Sequence, residues 1–379
     1  MLASTTSKLA LRKVTAKRTT KRQYALKKAD LPKNVLEAQY AVRGAIVLKA
    51  QQIQKQLLTP NHGLPFDKVI FCNIGNPQEL GQKPITFYRQ VTSLVENPNL
   101  LSNPVIRGQL PSDAIARAEE ILASVPGGTG AYSQSQGIEI TRKHVADFIT
   151  RRDEKTNVPG YASPDDIFLS DGASQAVHQT LKMLISKPTD GIMIPIPQYP
   201  LYSATISLLG GTPIPYYLDE ENNWGLGVKQ LEKALADMPS GTTPKAIVII
   251  NPGNPTGQNL PKADIQAITD FARQKGLVVL ADEVYQENVY IKDKKPFYSF
   301  KRAKHEMGSS FKDLELFSFH SVSKGVIGEC GKRGGYAELD GIDSGVRDEY
   351  LKLASINLCP NIIGQVMVSL MVNPPKPGD

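Results

Sequence analysis

The run Ala246-Ile247-Val248-Ile249-Ile250, followed at once by Asn251-Pro252-Gly253-Asn254-Pro255-Thr256-Gly257, decides the fold class. The run is apolar at every position and mostly β-branched, so it reads as a strand with no solvent-facing side. Two Asn-Pro pairs then stop it, because the residue before a proline is pushed out of the helical region. A strand buried on both faces belongs to a sheet covered by helices on each side. The same texture continues outward. Ile167-Phe168-Leu169, Ile192-Met193-Ile194, Ile214-Pro215-Tyr216-Tyr217 and Leu277-Val278-Val279-Leu280 read as strands, and residues 174–186, 199–209, 228–238 and 262–275 as helices between them. Alternating elements of this kind predict a three-layer α/β/α large domain with a mostly parallel sheet, here residues 111–379. Ligands of such sheets sit at the carboxyl ends of the strands.

Ahead of that domain, residues 30–110 form an N-terminal segment. The spacing of Val35, Ala38, Val42, Ile46, Ala50 and Ile53 predicts one long helix over 34–56, and Ile70-Phe71-Cys72-Asn73-Ile74-Gly75-Asn76-Pro77 a short extended entry to a substrate-side loop. Residues 112–124 read as a helix capped by Ser112, residues 126–137 as a flexible Gly/Ser-rich loop, and residues 138–152 as helix again.

Charge is uneven along the chain. Residues 1–29 hold nine Lys and Arg and no acid; removing these nine from the overall +7 leaves −2 for residues 30–379. The near-neutral body argues against a nucleic-acid surface. The acid-free leader, with its Ser, Thr and scattered Leu and Val, reads as a mitochondrial transit peptide, with a plain basic tail as the alternative. Cys72, Cys330 and Cys359 form no paired spacing and fit a reducing compartment, and His62, His144, His178, His305 and His320 show no metal-ligand spacing. No run reaches the roughly 18 apolar residues of a membrane-spanning helix.

Four motifs follow predicted strands. Ser170-Asp171-Gly172-Ala173-Ser174-Gln175-Ala176 offers small residues at a helix start, where first-turn N–H groups attract an anion, although an ordinary capped helix reads the same way. Tyr199, in Pro197-Gln198-Tyr199-Pro200-Leu201-Tyr202, could stack on a flat heterocycle or sit in the core. Asn254 is held by the second Asn-Pro pair. Asp282 ends a strand three residues before Tyr285; a carboxylate buried there needs a partner such as a protonated ring nitrogen, with a metal site at Asp282-Glu283 as the alternative.

Last comes Leu316-Phe317-Ser318-Phe319-His320-Ser321-Val322-Ser323-Lys324-Gly325, then Gly328-Glu329-Cys330-Gly331-Lys332-Arg333-Gly334-Gly335-Tyr336. A strand delivers Lys324 among small residues, a setting that suits a Schiff-base amine, although an ordinary loop lysine reads the same way from this segment alone. Arg333 matches a phosphate with its fork of donors. Anion cradle, ring, amide, carboxylate with phenol, amine and arginine, in that order, are the parts a pyridoxal 5′-phosphate site requires.

On these motifs the chain resembles the fold-type I pyridoxal-phosphate-dependent aminotransferases. Ile74-Gly75-Asn76-Pro77, Gly130-Ala131-Tyr132-Ser133, Pro197–Tyr202, Asn254–Gln258 and the glycine-rich Gly328–Tyr336 segment look most like the branch that acts on alanine. The resemblance implies the pyridoxal-phosphate-dependent transferase fold and a set of roles. Lys324 would hold the cofactor aldehyde and move the substrate proton. Asp282 would pair with the ring nitrogen, and Asn254 and Tyr285 would bond the ring oxygen. Tyr199 would stack on the ring, and Ala173, Ser174, Gln175, Ser321 and Arg333 would hold the phosphate. Tyr132 would reach the phosphate of a second subunit in a homodimer, and Gly75 and Asn254 would lie by the substrate. It further implies transfer of an amino group from L-alanine to 2-oxoglutarate in the mitochondrial matrix, with no nucleic-acid or membrane partner.

The family's substrate-carboxylate arginine lies in a C-terminal small domain. No segment after Asn361 matches that domain, so the chain is expected to be a shortened product or a partial reading of a longer gene. Glutamate–glyoxylate transamination, a lyase or synthase reaction on the same scaffold, and an inactive aminotransferase-like fragment remain open. A binding module of regulatory type would carry a helix-turn-helix pattern, which the basic leader lacks.

Overall fold

The computed structural model describes residues 26–40, 42 and 44–378. Seven strands form one sheet: β1 (Ile167–Ser170), β2 (Asp190–Ile196), β3 (Thr212–Tyr217), β4 (Thr243–Ile250), β5 (Val278–Asp282), β6 (Leu316–Ser321) and β7 (Gly335–Asp340). Their spatial order is β1-β7-β6-β5-β4-β2-β3. Strands β3, β2, β4, β5 and β6 run parallel, and β7 runs antiparallel to both its neighbours, β6 and β1. The predicted mostly parallel α/β sheet is therefore the one observed.

Period-two alternation assigns each strand residue to a layer. In β4, Ala246, Val248 and Ile250 pack with Val177, Leu181, Tyr202, Ile206 and Tyr350 on one face. Ile247 and Ile249 pack with Leu231, Ile265, Ile268 and Phe300 on the other. The helices Ala173–Leu184, Leu201–Leu209 and Ser344–Ser355 thus cover the first face, and Val228–Ala236, Lys262–Lys275 and Phe300–Glu306 the second. A further cluster joins Thr86–Glu96, Ser112–Ser124, Glu139–Arg152 and Ile362–Val372 to the β1 and β7 side, around Val91, Ile121, Val145, Met367 and Leu370. Because β1 and the parallel strands share one direction, the segments after β1, β2, β4, β5 and β6 all emerge at one edge of the sheet. That edge collects the motifs.

Three local expectations are corrected. The helix expected over 34–56 is two helices, Lys33–Glu37 and Ala45–Leu57, and neither buries a residue. An apolar stripe without a core behind it does not enforce continuity. The intervening Ala38 is extended, Tyr40 is drawn off to hydrogen-bond Tyr199, and Gly44 caps the second helix. Ser112 is the first helical residue rather than the cap; Pro111, at φ −59° and ψ 141°, takes the cap position. The expected extended entry at residues 70–77 is irregular backbone. The transit peptide expected over 1–29 lies almost wholly outside the described residues.

Candidate active site

The cradle at the start of helix Ala173–Leu184 is built by glycines. Gly335 pairs with Ser170 across one ladder and with Ser321 across the other, which brings the ends of β1 and β6 level. A Cβ on Gly335 would stand 2.7 Å from the Ala173 nitrogen, so only glycine lets the helix start this close to the strand. Gly172 caps the helix at φ +81°, and a Cβ there would lie 2.3 Å from Arg333 Nη2. Arg333 donates from Nη2 to the Asp171 carbonyl and from Nη1 to the Cys330 carbonyl, each at 3.0 Å. The guanidinium therefore bridges the two loops beside the first-turn amides of Ala173 and Ser174, which face no intrahelical carbonyl. Gln175 Oε1 accepts from the Asp171 amide at 2.6 Å, and buried Ser321 accepts from the Ser323 amide at 3.3 Å. Ala173, Ser174, Gln175, Ser321 and Arg333 are thus gathered around one helix start, where an anion is favoured.

Lys324 follows β6 by three residues and is half-buried. Its Nζ donates to the Gly75 carbonyl at 2.7 Å and lies 5.7 Å from the centre of the Tyr285 ring. Burial pulls its pKa below the ordinary lysine value, with the Cys330 thiol working the other way. A Cβ on Gly75 would come within 3.1 Å of Nζ, so a larger residue there would crowd the lysine tip. Asn254 Nδ2 donates to the Tyr285 hydroxyl at 3.3 Å. Burial, then the charge of Asp282, push that phenol up to about 12. Asn251, the first Asn of the two pairs, is structural: its side chain accepts from the Leu260 amide at 2.9 Å and pins the loop.

Asp282 ends β5 on the sheet face shared with Tyr202 and is 5% exposed. Burial raises its carboxyl to about 6, while the Tyr202 hydroxyl, donating to Oδ2 at 2.8 Å, draws it down. Glu283, one residue on, faces the opposite side of the sheet. It accepts from the Phe300 amide at 2.9 Å and lies 3.6 Å from Arg152. Pleating therefore splits the Asp282-Glu283 pair, and the two carboxylates cannot share a metal.

Tyr199 is half-buried, and its hydroxyl is 2.7 Å from that of Tyr40. Tyr132 stands apart on the 126–137 loop, 77% exposed, beside a depression lined by Val125 and Ile362. The sequence reading passed over Tyr40, Tyr202 and Cys330. Tyr202, packed among apolar side chains, reads as core, and its partner Asp282 lies 80 residues later in the chain. Tyr40 carried no signal either, since its partner is 159 residues away.

A lysine with a lowered pKa, a buried carboxylate, a phenol with its amide and an anion-favouring helix start fit an aromatic aldehyde bearing a phosphate and a basic ring nitrogen. The Gly172 cradle, which a single methyl would fill, is the most specific part of that fit.

Comparison with known proteins agrees. Residues 99–376 match the family model for aminotransferase class I and II. The chain is 55% identical to a probable mitochondrial alanine aminotransferase of Dictyostelium discoideum over 92% of its own length and 66% of that protein's. It is 53% identical to glutamate–glyoxylate aminotransferase 1 of Arabidopsis thaliana, over 94% and 72%. The alanine aminotransferase of Pyrococcus furiosus superimposes with a TM-score of 0.69 at 25% identity, over 91% of this chain and 71% of that one. The chain thus spans about two thirds of the length of such relatives. Enzymes of this family depend on pyridoxal phosphate and act on amino and oxo acids. Given a matching family model over most of its length and the site geometry above, the chain belongs to the class I and II aminotransferases.

Proposed function

We propose that the protein is a pyridoxal-phosphate-dependent transaminase that moves the amino group of L-alanine to 2-oxoglutarate, giving pyruvate and L-glutamate. The observation that carries the reading is the placement of the Lys324 amine over Tyr285, with Asn254 on the phenol and Asp282 at the end of the neighbouring strand. When bound, the cofactor supplies an aldehyde conjugated to a pyridine ring that accepts electrons from the substrate α-carbon. Lys324 would hold the aldehyde and, once released from it, would take and return the substrate proton at its amine; burial favours the uncharged form that this task needs. Asp282, carrying negative charge at the end of β5, would pair with the ring nitrogen. Asn254 and Tyr285 would donate to the ring oxygen, and Tyr199 would stack on the ring. Arg333, Ser321 and the 173–175 turn would hold the phosphate. Gly75, whose carbonyl holds the Lys324 ammonium, would lie with Asn254 by the substrate.

Tyr132, exposed on its loop, would reach the cofactor of a second copy, and its exposure supports a homodimer as the active form. The mitochondrial names of several relatives and the acid-free leader support a matrix location.

Glutamate–glyoxylate exchange is the second reading, favoured by the relative of that name at 53% identity. The test is spectroscopic and then kinetic. The purified chain with added pyridoxal phosphate should develop a visible band that Lys324→Ala abolishes, and should turn over alanine with 2-oxoglutarate faster than glutamate with glyoxylate. No band in the unsubstituted chain ends the reading; the reverse rate order selects the second.

A further inference from the structure

We propose that Tyr202 is a positioning residue for the cofactor: its hydroxyl fixes one oxygen of the Asp282 carboxylate and keeps the group an acceptor for the ring nitrogen. The inference rests on the pyridoxal-phosphate reading above.

Tyr202 is 0% exposed, wedged in the core between Val177, Ile206 and the β4–β5 face, so its hydroxyl cannot turn to water. A buried phenol needs an acceptor, and a hydroxyl has only one proton to give. Here the proton goes to Asp282 Oδ2 at 2.8 Å. The other groups near Asp282 do not duplicate it. The Val284 amide reaches Oδ1 only at 3.4 Å, and Tyr199 and Tyr285 feel its charge while their hydroxyls are held by Tyr40 and Asn254. No lysine or arginine is paired with Asp282 among the described residues. An isolated carboxyl at this depth tends to keep its proton. The Tyr202 donor opposes that tendency. It also uses one oxygen and leaves acceptor capacity on the other, where a ring N–H would bond.

The same helix supplies both the stacking neighbour and this donor. Tyr199 precedes Leu201–Leu209 and Tyr202 is its second residue, so one turn of chain would set the ring's face and the charge at its nitrogen together.

Tyr202→Phe removes one oxygen and leaves the ring packing intact. Pyridoxal phosphate should bind it about 10-fold more weakly than the parent, the loss expected for a hydrogen bond to a charged group. The pH midpoint of the visible band should move up, because a less cationic ring nitrogen withdraws less strongly. An analogue with carbon in place of the ring nitrogen should bind parent and variant alike, since the effect acts through that atom. Tyr216→Phe is the control: Tyr216 is equally buried, and its hydroxyl donates to the Val248 carbonyl at 2.7 Å, away from Asp282. Equal loss in Tyr216→Phe, equal loss with the nitrogen-free analogue, or parental affinity and midpoint in Tyr202→Phe would each overturn the inference while leaving the cofactor reading standing. If the parent chain itself takes up no cofactor, both fall.

Discussion

Gly172 and Arg333 leave no room for a methyl group between them: a Cβ on the glycine would sit 2.3 Å from Nη2 and 2.8 Å from the guanidinium carbon. The arginine is held by the Asp171 and Cys330 carbonyls, so it cannot shift without straining both bonds. Gly172→Ala therefore displaces the guanidinium and also forces a non-glycine residue to φ +81°. The backbone alone should cost about 1 kcal/mol of stability. With Arg333 as the proposed phosphate donor, its displacement should weaken pyridoxal phosphate binding at least about 10-fold. Absorbance titration beside urea unfolding of the cofactor-free chain separates the two; unchanged affinity would show that Arg333 is not a phosphate ligand.

Lys324 is held folded at some expense to the fold. Its pKa is lowered by burial, so the folded chain binds this proton less tightly than the unfolded chain does. The sign follows: the group destabilises the cofactor-free protein at pH values below its folded pKa, and the penalty fades as pH rises toward the ordinary lysine value. Lys324→Met should raise the urea midpoint at pH 7, with the difference closing by about pH 10. It should also abolish the visible band. A midpoint lower than the parent's at pH 7 would mean that the bond to the Gly75 carbonyl outweighs desolvation.

Much of this was legible beforehand, and the reasons differ from residue to residue. Ile247 and Ile249 announce a buried strand because every local preference agrees with the sheet. Lys324, Asp282 and Asn254 stand out because each is a polar residue directly after such a strand. The break between Lys33–Glu37 and Ala45–Leu57 was hidden, since periodicity reports a possible face and not whether anything covers it. Tyr202 looked like core and is core; its role depends on a carboxylate 80 residues later in the chain, a pairing that no spacing rule reaches.

His320 gives a pH dependence that can be checked in isolation. It lies fully inside the protein, stacked at 9° on Phe148 and edge-on to Tyr336. Burial, reinforced by the charge of Arg152, lowers its pKa from 6.5 to about 3. The folded chain keeps the ring neutral while the unfolded chain protonates it below about 6.5. This group's contribution is therefore fully present above that value and is lost as pH falls toward 3. Between pH 6.5 and 5 the loss should be about 1.6 kcal/mol. His320→Phe should remove that slope, so the parent's stability falls relative to the variant on acidification. Parallel profiles over the same range would mean the ring is protonated in the fold.

Arg89 is the arginine most easily mistaken for a substrate-carboxylate receptor, because it lies on the helix just after the Gly75 loop. Its guanidinium is already engaged. Nη1 is 2.8 Å from Glu329 Oε1, and Nη2 donates to Oε2 at 3.0 Å, against a carboxylate that is only 3% exposed. Around that pair, Gln82 donates to the Val326 carbonyl at 2.6 Å and Lys324 to the Gly75 carbonyl at 2.7 Å. The ion pair is thus the anchor that clamps residues 75–89 onto the 324–330 loop. Arg89→Met leaves Glu329 without its ion-pair partner; because the arginine side is 37% exposed, the loss should be about 1 to 2 kcal/mol, below that of a fully buried pair. The double variant Arg89→Met/Glu329→Leu removes both charges and should recover most of that loss. Hydrogen exchange of residues 75–82 should quicken in the single variant and return in the double. A substrate-receptor role predicts the opposite pattern, with KM for the amino acid rising in both variants while stability and exchange stay at parental levels.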